Sequence, residues 1–415
     1  MNNIKIYKFG GAVLNSLNGF RNMLKILQEQ QSDKLLLVVS AFAKSTRELR
    51  KAGEQASLGR LATAEEVIEK LILEYLYFAE NLINDATLLN LIKAEIENAH
   101  CEIKKLLRGI AIVRELTPRT LDLLMSYGEK LSLLIAYHYL KINGINIASI
   151  DSSQVIKTNS NFGKASPNYP ITANNVAKQI LPLFDEYSTV VTQGFVASDS
   201  NNEITTMGIE SSNLSAAIYA QYLECKEIIL FTDVDGIRNA DPKLQNDTSL
   251  VKQLSYRQAY LLGLNGIKLI FPQMVKLAKR AGIKIIIKSG ISESSDKTII
   301  STEKNNDDIS ITINKGEKYL YQCYLPRHLN SNRFMQRYFY KKHNLKDLGF
   351  QIISAEDSYC IVELLDKEAI KGAIQCEKIS IISLNGGKLP QGMLNSEKVF
   401  YESTFANVKN FYFRK

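Results

Sequence analysis

Cysteine, histidine and long apolar runs are scarce in this 415-residue chain, and each shortage removes a class of function. The five cysteines (Cys101, Cys225, Cys323, Cys360, Cys376) are odd in number, scattered and without a C-x-x-C pair. That suits free, mostly buried thiols in a reducing compartment. The four histidines (His100, His138, His328, His343) form no ligand-spaced cluster with cysteines or carboxylates, so neither a zinc site nor a Cys–His pair is expected. No apolar stretch reaches the ~18 residues of a membrane helix, and the opening Met1-Asn2-Asn3 does not read as a signal peptide. A soluble, cytoplasmic protein is expected, with no membrane partner. The formal net charge is +8, but no polybasic run accompanies it. The excess fits an anionic small ligand, and without a clustered basic footprint no nucleic-acid partner is expected. Neither G-x-x-x-x-G-K-[ST] nor G-x-G-x-x-G occurs, so P-loop and Rossmann sites lose their usual support.

What is present is ordinary globular composition, 45% hydrophobic and 23% charged, over a length that suggests roughly two to four domains. As far as about residue 290, short β-rich runs alternate with helical periodicity. Ile4 to Phe9, Leu35 to Val39, Ile145 to Ile150, Thr189 to Phe195, Glu227 to Phe231 and Lys284 to Ile287 read as strands, and Leu17 to Gln30 as a helix. Val- and Ile-rich runs without in/out alternation suit strands buried on both faces of a mostly parallel sheet. A long helical insertion lies between them. Thr63 and Glu66 have capping-box spacing, and Val67, Leu71, Tyr75, Phe78 and Leu82 form a core-packing stripe. After about Asp296 the composition changes, with a polar linker at Asn305 to Asp308. Beyond it, Ile309 to Ile313, Tyr359 to Leu364 and Ile379 to Leu384 read as strands, and Arg333 to Tyr340 and Glu397 to Asn407 as helices. That mix predicts a small α+β module over residues 306–415, after a larger domain over 1–295.

Two elements can carry chemistry. The opening strand runs directly into Lys8-Phe9-Gly10-Gly11. Two glycines there let the backbone approach a phosphate closely, and the Lys8 ammonium can neutralise it; the same glycines also suit a simple turn. Thr232-Asp233-Val234-Asp235-Gly236-Ile237, with Ala240-Asp241-Pro242-Lys243, comes after another apolar strand. A loop at the carboxyl end of a parallel strand is where open α/β sheets bind ligands, although Asp beside Gly and Pro is also a common turn former.

In order along the chain, these and further motifs resemble the aspartate kinase family of the amino-acid kinase fold. Lys8-Phe9-Gly10-Gly11 is similar to K-F-G-G-T-S, and Val38-Val39-Ser40-Ala41-Phe42-Ala43-Lys44-Ser45-Thr46 to V-V-S-A-M-A-G-V-T. Gly128-Glu129-Lys130-Leu131-Ser132 resembles G-E-x-L-S, Phe162-Gly163-Lys164-Ala165 resembles F-G-R-A, and Thr232-Asp233-Val234-Asp235-Gly236 matches T-D-V-D-G. Gly266-Ile267-Lys268-Leu269-Ile270-Phe271-Pro272 resembles G-A-K-V-L-H-P. The tail, with Ile353-Ser354-Ala355-Glu356 and Ile382-Ser383-Leu384-Asn385-Gly386-Gly387, loosely resembles a reduced form of the family's regulatory ACT region.

The resemblance implies an α/β three-layer sandwich with a mainly parallel sheet, followed by a smaller ACT-like α+β domain. It implies transfer of the γ-phosphoryl group of ATP to the side-chain carboxylate of aspartate, with Mg2+ bridging the phosphates. Lys8 would then stabilise the transferring group, and Gly10 and Gly11 would supply close backbone donors. Ser40, Thr232, Asp233, Arg238, Lys243 and Lys268 would serve the nucleotide, and Thr46, Glu129, Phe162, Ser212 and Asn213 the amino acid. No dedicated metal-ligand cluster is expected. A homodimer built largely through the tail is expected, because ACT-like sheets commonly pair edge to edge; the alternative for the tail is a monomeric lid.

The substrate signature departs from the family. Where the family reads G-R-G-G-S-D, this chain has Gly208-Ile209-Glu210-Ser211-Ser212-Asn213. Ile209 replaces an arginine suited to the α-carboxylate, and Asn213 an aspartate suited to the amino group. Charge-assisted hydrogen bonds are worth about 1.5–3 kcal/mol each, so losing both weakens aspartate binding by roughly 10²–10⁴-fold unless other groups compensate. Ala12 and Val13 replace the hydroxyls of K-F-G-G-T-S, and Arg238 and Lys243 stand at a tyrosine and an arginine position. Two readings are open: a working kinase with a rebuilt acceptor pocket, for aspartate or another carboxylate or amine, and a catalytically weak paralogue that binds a ligand or a partner subunit.

Overall fold

The computed structural model describes residues 4–30, 34–42, 44–240, 248–264, 267 and 269–302, together with the backbone of six strands beyond residue 310. Two compact units emerge. One comprises Met1–Ile237, Lys252–Tyr260 and Lys268–Lys304, the other Arg238–Val251, Leu261–Ile267 and Asn305–Lys415.

The first unit contains β1 (Ile4–Phe9), β2 (Lys34–Val39), β3 (Ile147–Ser149), β4 (Thr189–Gln193), β5 (Val196–Ser198), β6 (Ile204–Thr206), β7 (Glu227–Thr232), β8 (Gln253–Ser255), β9 (Lys284–Ser289) and β10 (Lys297–Ser301). Eight of them form one sheet in the order β3-β4-β2-β1-β7-β9-β10-β8, in which the β9–β10 pair is antiparallel and the other neighbours run parallel. β5 and β6 make a separate antiparallel pair. In β2 the run Leu35–Val39 is buried without a break, and all five residues of β4 are buried. Continuous burial of a strand means that both faces of the sheet are covered. One face presents Tyr7, Phe9, Leu35, Leu37, Val39 and Val191 to the core of the helical insertion. The helix Ser212–Tyr222 packs on β1, β2 and β7. The result is the expected three-layer α/β sandwich.

The insertion consists of the helices Ser45–Ser57, Leu61–Leu82, Ala86–Val113 and Pro118–Ile142. Leu71, Tyr75, Phe78 and Leu82 are buried along one stripe, and Val67 packs partly buried against the same core. The predicted capping box does not form. The helix starts at Leu61 with Arg60 in the cap position, so Thr63 already lies inside the first turn. Leu61, Ala62 and Ala64 are strong helix formers and carry the start past the weaker threonine signal. The next two helices are capped by their side chains: Asp85 accepts from the Leu88 N–H and Thr117 from the Thr120 N–H. Pro118 then occupies a first-turn position where no amide hydrogen is needed.

In the second unit, β11 (Ile311–Gln322), β12 (Phe350–Ser354), β13 (Tyr359–Val362), β14 (Gln375–Asn385), β15 (Val399–Phe405) and β16 (Val408–Arg414) form an antiparallel sheet in the order β12-β13-β11-β14-β16-β15. The three tail strands read from sequence fall within or overlap β11, β13 and β14. The helix expected at Glu397 to Asn407 is instead β15, paired with β16. Val399, Phe400, Tyr401, Thr404 and Phe405 are β-branched or aromatic, and pairing favours that composition over its weak helical pattern. The helix read at Arg333 to Tyr340 lies outside the described residues.

Phe20 joins the insertion to the sheet unit. It is fully buried, with ring centroids 5.4 Å from Phe42, 5.8 Å from Phe78 and 6.0 Å from Tyr139. Phe20→Ala should therefore cost about 3–5 kcal/mol of stability, read from urea unfolding tracked by helical circular dichroism. A loss below about 1 kcal/mol, the scale of an average substitution, would show that this aromatic cluster does not hold the layers together.

Candidate active site

Parallel pairing brings the carboxyl ends of several strands to one edge of the sheet, where open α/β sheets bind ligands. The ladder continues just past each strand. The Gly10 N–H donates to Phe231 O (3.0 Å), Ser40 to Phe9 O (3.2 Å), Gly194 to Val39 O (3.0 Å) and Gly290 to Thr232 O (2.7 Å). At this edge lies a cleft of about 510 Å³.

Lys8, Gly10, Gly11, Ser40, Thr232 and Asp233 line the cleft from the strand ends, and Ser212 and Asn213 from the start of the helix Ser212–Tyr222. Thr46 and Glu129 reach it from the helices Ser45–Ser57 and Pro118–Ile142. Lys8 and Asp233, far apart in sequence, thus share one cavity. Two other candidates, Phe162 and Arg238, do not line it. Phe162 sits half-buried in a turn, and Arg238 belongs to the second unit, where its Nε donates to Thr248 Oγ1 at 2.6 Å. Lys243 and Lys268 lie outside the described residues. Among the described residues no cluster of histidines, cysteines and carboxylates suited to a metal ion occurs.

Sequence reasoning missed the apolar wall of Phe195, Leu230, Phe231, Leu269 and Ile287. The apolar ends of β7 and β9 were its available signal. Two glycines make the approach of the walls possible. A Cβ on Gly11 would run into the Ala41 carbonyl oxygen, and one on Gly194 would lie 2.6 Å from Ser212 Cα.

The electrostatics centre on Lys8 and Glu129. Burial pushes the Lys8 ammonium down to about 8, against the upward pull of the Glu129 and Glu210 charges. Burial pushes the Glu129 carboxyl up to about 8, opposed by a hydrogen bond from the Ala41 N–H and by the charge of Lys8. Glu129 is 3% exposed and its Oε2 has no hydrogen-bond partner. Asn213 donates through Nδ2 to Leu269 O at 3.3 Å, while its buried Oδ1 is also without a partner. Buried acceptors lining a cleft suit a ligand that brings donors. Ile209 is 60% exposed at the rim, and Glu210 has a left-handed backbone with φ 68°.

A cleft at the carboxyl edge of a parallel sheet, closed by a helix start and holding a buried lysine, is the small-molecule site of an open α/β domain. The profile of the amino acid kinase family matches residues 3–289, and the chain belongs to that family. Within it the sequence is similar to aspartokinases. It is 28% identical over 309 residues to aspartokinase 1, chloroplastic, of Arabidopsis thaliana, an alignment covering 72% of this chain and 52% of that protein. It is 27% identical over 309 residues to lysine-sensitive aspartokinase 3 of Escherichia coli, covering 74% of this chain and 66% of that one. The alignments thus span about half to two thirds of these relatives. The crystal structure of E. coli aspartokinase III in complex with aspartate and ADP, in its R-state, superimposes with a TM-score of 0.77 at 21% identity, covering 99% of this chain and 96% of that one. The resemblance read from the motifs is borne out, and the chain is an aspartate-kinase-like member of its family. Among the described residues, no helix is long and apolar enough to cross a membrane.

The Lys8–Glu129 pair predicts a pH signature for the ligand-free protein. Unfolded, Glu129 loses its proton near 4.5; folded, it keeps it to about 8, so its contribution to stability falls as pH rises between those values. Lys8 holds its proton to 10.5 when unfolded and releases it at about 8 when folded, so its contribution rises with pH over that upper window. The difference in urea midpoint between the wild type and Lys8→Met/Glu129→Gln should reach its least favourable value for the wild type near pH 8. A difference that is flat with pH would reject the assignment.

Proposed function

We propose that the chain is an ATP-dependent phosphotransferase that phosphorylates the side-chain carboxylate of L-aspartate to 4-phospho-L-aspartate, the first step toward lysine, threonine and methionine. One observation carries the reading: Lys8 shares its cleft with both candidate phosphate loops and with Glu129 and Asn213.

In this reaction a carboxylate oxygen attacks the γ-phosphorus, the bond to the bridging oxygen breaks, and ADP leaves with that electron pair. The nucleophile is already ionised, so no general base is needed. Positioning and charge neutralisation are what the protein supplies. Lys8 is suited to the equatorial oxygens of the transferring group. Entry of a polyphosphate raises its lowered pKa and favours the ammonium form. Glu129 Oε2 and Asn213 Oδ1 are suited to the amino group of the acceptor. A magnesium ion bridging the phosphates would neutralise further charge. Mg2+ commonly takes one or two carboxylates plus substrate phosphates, which fits Asp233, an exposed carboxylate in the cleft that accepts from the Thr232 hydroxyl at 3.0 Å.

A second reading, a catalytically weak protein that binds a ligand or a partner subunit, draws its support from the rim. Ile209 and Glu210 line the cleft where the family signature has an arginine followed by a glycine. The same proposal includes a domain division at 1–295 and 306–415, an ACT-like role for the tail, and a homodimer paired through the edges of its sheet. Sedimentation at high micromolar concentration should show a dimer, and a monomer there would remove the pairing.

Release of ADP from ATP and magnesium, assayed across a panel of amino acids including aspartate, decides between the readings. If the protein is a kinase, Lys8→Ala should lower turnover by about 10²–10³-fold with a much smaller change in nucleotide affinity. Ile209→Arg/Glu210→Gly/Asn213→Asp should raise activity toward aspartate if a degenerate site is the obstacle. It should leave activity toward aspartate unimproved, or lower it, if the pocket is rebuilt for another acceptor. Nucleotide binding without phosphoryl transfer in any form would favour the second reading.

A further inference from the structure

The helix Pro118–Ile142 carries a second buried carboxylate two turns before Glu129, on nearly the same helical face. Asp122 is completely buried, yet it does not line the cleft. Its Oδ2 accepts from the Gly163 N–H at 2.8 Å and the Thr206 N–H at 2.9 Å, and its Oδ1 accepts from the Thr206 hydroxyl at 2.7 Å. Burial pushes the Asp122 carboxyl above its ordinary value, opposed by the hydrogen bonds from Thr206 and Gly163 and, more weakly, by the charge of Arg50. One side chain thus joins the turn that contains Phe162 to the end of β6.

Three residues past the end of β6 the chain joins the wall of the cleft. Thr206 is held on its other side as well, where its carbonyl accepts from the Ala165 N–H at 2.9 Å. The Met207 N–H donates to Phe195 O at 3.2 Å, and Phe195 itself lines the cleft in a left-handed conformation. The chain then passes through Gly208, with φ 99°, to Ile209 and Glu210 in the cleft and to the helix start at Ser212 and Asn213. Gly163 and Gly208 are neighbours: a Cβ on Gly208 would stand 3.9 Å from Gly163 O.

We propose that Asp122 is a positioning residue for the acceptor side of the cleft. By clasping Gly163 and Thr206, it fixes the start of the 207–213 segment against the same helix that presents Glu129. The arrangement needs an acceptor-only group, because three donors converge on the two oxygens. An asparagine there turns one oxygen into an NH2 group facing donors, at a position fully buried from solvent. The clasp itself stands on the geometry; its kinetic readout rests on the kinase reading.

The test compares Asp122→Asn, Thr206→Val and Thr206→Ser in the full chain. Removing a buried hydrogen-bond partner typically costs binding by roughly 10–100-fold. Asp122→Asn should raise KM for aspartate by about that factor, while KM for ATP stays within about twofold. Thr206→Val should act in the same direction and more weakly, and Thr206→Ser, which keeps the hydroxyl, should behave like the wild type. Amide hydrogen exchange should quicken at Gly163 and Thr206 in Asp122→Asn and stay unchanged in β1 and β2. Equal rises in both KM values, or unaltered exchange at the two amides, would overturn the proposal. If Asp122→Asn does not fold, Thr206→Val carries the same comparison. A wild type without phosphoryl transfer counts against the kinase reading alone, and the exchange measurement then decides the clasp.

Discussion

The stacking of Phe9 on Phe231, with centroids 4.4 Å apart and planes 11° from parallel, fixes the register on which the cleft depends. Tyr7 adds an edge contact to the same ring at 5.3 Å. With these aromatic residues committed to the apolar core, alternation along β1 sends Lys8 to the opposite face. A slip of one residue would bury the ammonium among the rings and turn Phe9 away from them, a loss on both counts. Apolar contact on one face therefore holds an expensive cation in place on the other. The pairings of Lys8 with Val38 and with Leu230 then set it between β2 and β7, whose succeeding loops supply Ser40 and Asp233.

The cleft is stable but not relaxed. Phe195 and Glu210 both adopt left-handed backbone conformations, each costing about 1–2 kcal/mol for a residue with a Cβ. Glu129 Oε2 and Asn213 Oδ1 add buried acceptors with no donor opposite them. Strain and unmet polar groups of this kind survive only when their surroundings over-determine them. Here the surroundings are the extended strand ladder, the helix start at Ser212 and the close passages at Gly11 and Gly194. A ligand that brings donors recovers part of that cost, which is how a preformed site converts folding energy into selectivity.

The strands, the helical insertion and the loops around Lys8 and Asp233 were legible because each rests on local signals: unbroken apolar runs, 3.6-residue stripes and glycines after strands. The start of the Leu61–Leu82 helix was misplaced because helix-forming residues upstream outweighed a correctly spaced Thr–Glu pair. The run from Val399 to Phe405 was misread because sheet pairing, a non-local interaction, decides between weak local tendencies. Asp122 was invisible for a related reason. Its partners lie 41 and 84 residues away, and the sole local hint was an acidic residue among leucines, seven positions before Glu129. Arg238 shows the converse. Its motif position suggested the nucleotide, but its guanidinium is engaged with Thr248.

Part of the departure from the family tracks the architecture, although Ala12 and Val13 depart directly beside the family-like glycine pair at the end of β1. Lys8, Gly10, Gly11, Ser40, Thr232 and Asp233 sit at strand ends whose backbone is tied into the ladder. Change at those positions disturbs the register as well as the chemistry. Ile209 and Glu210 sit in a loop between Gly208 and the helix start, beyond the last hydrogen bonds of β6. Their side chains can change charge and size while Thr206 stays clasped, because a loop on a rigid scaffold tolerates substitution that the scaffold does not. The 208–213 segment is therefore the part of the cleft most free to redefine which ligand fits, and Asp122 is the fixed point from which it does so.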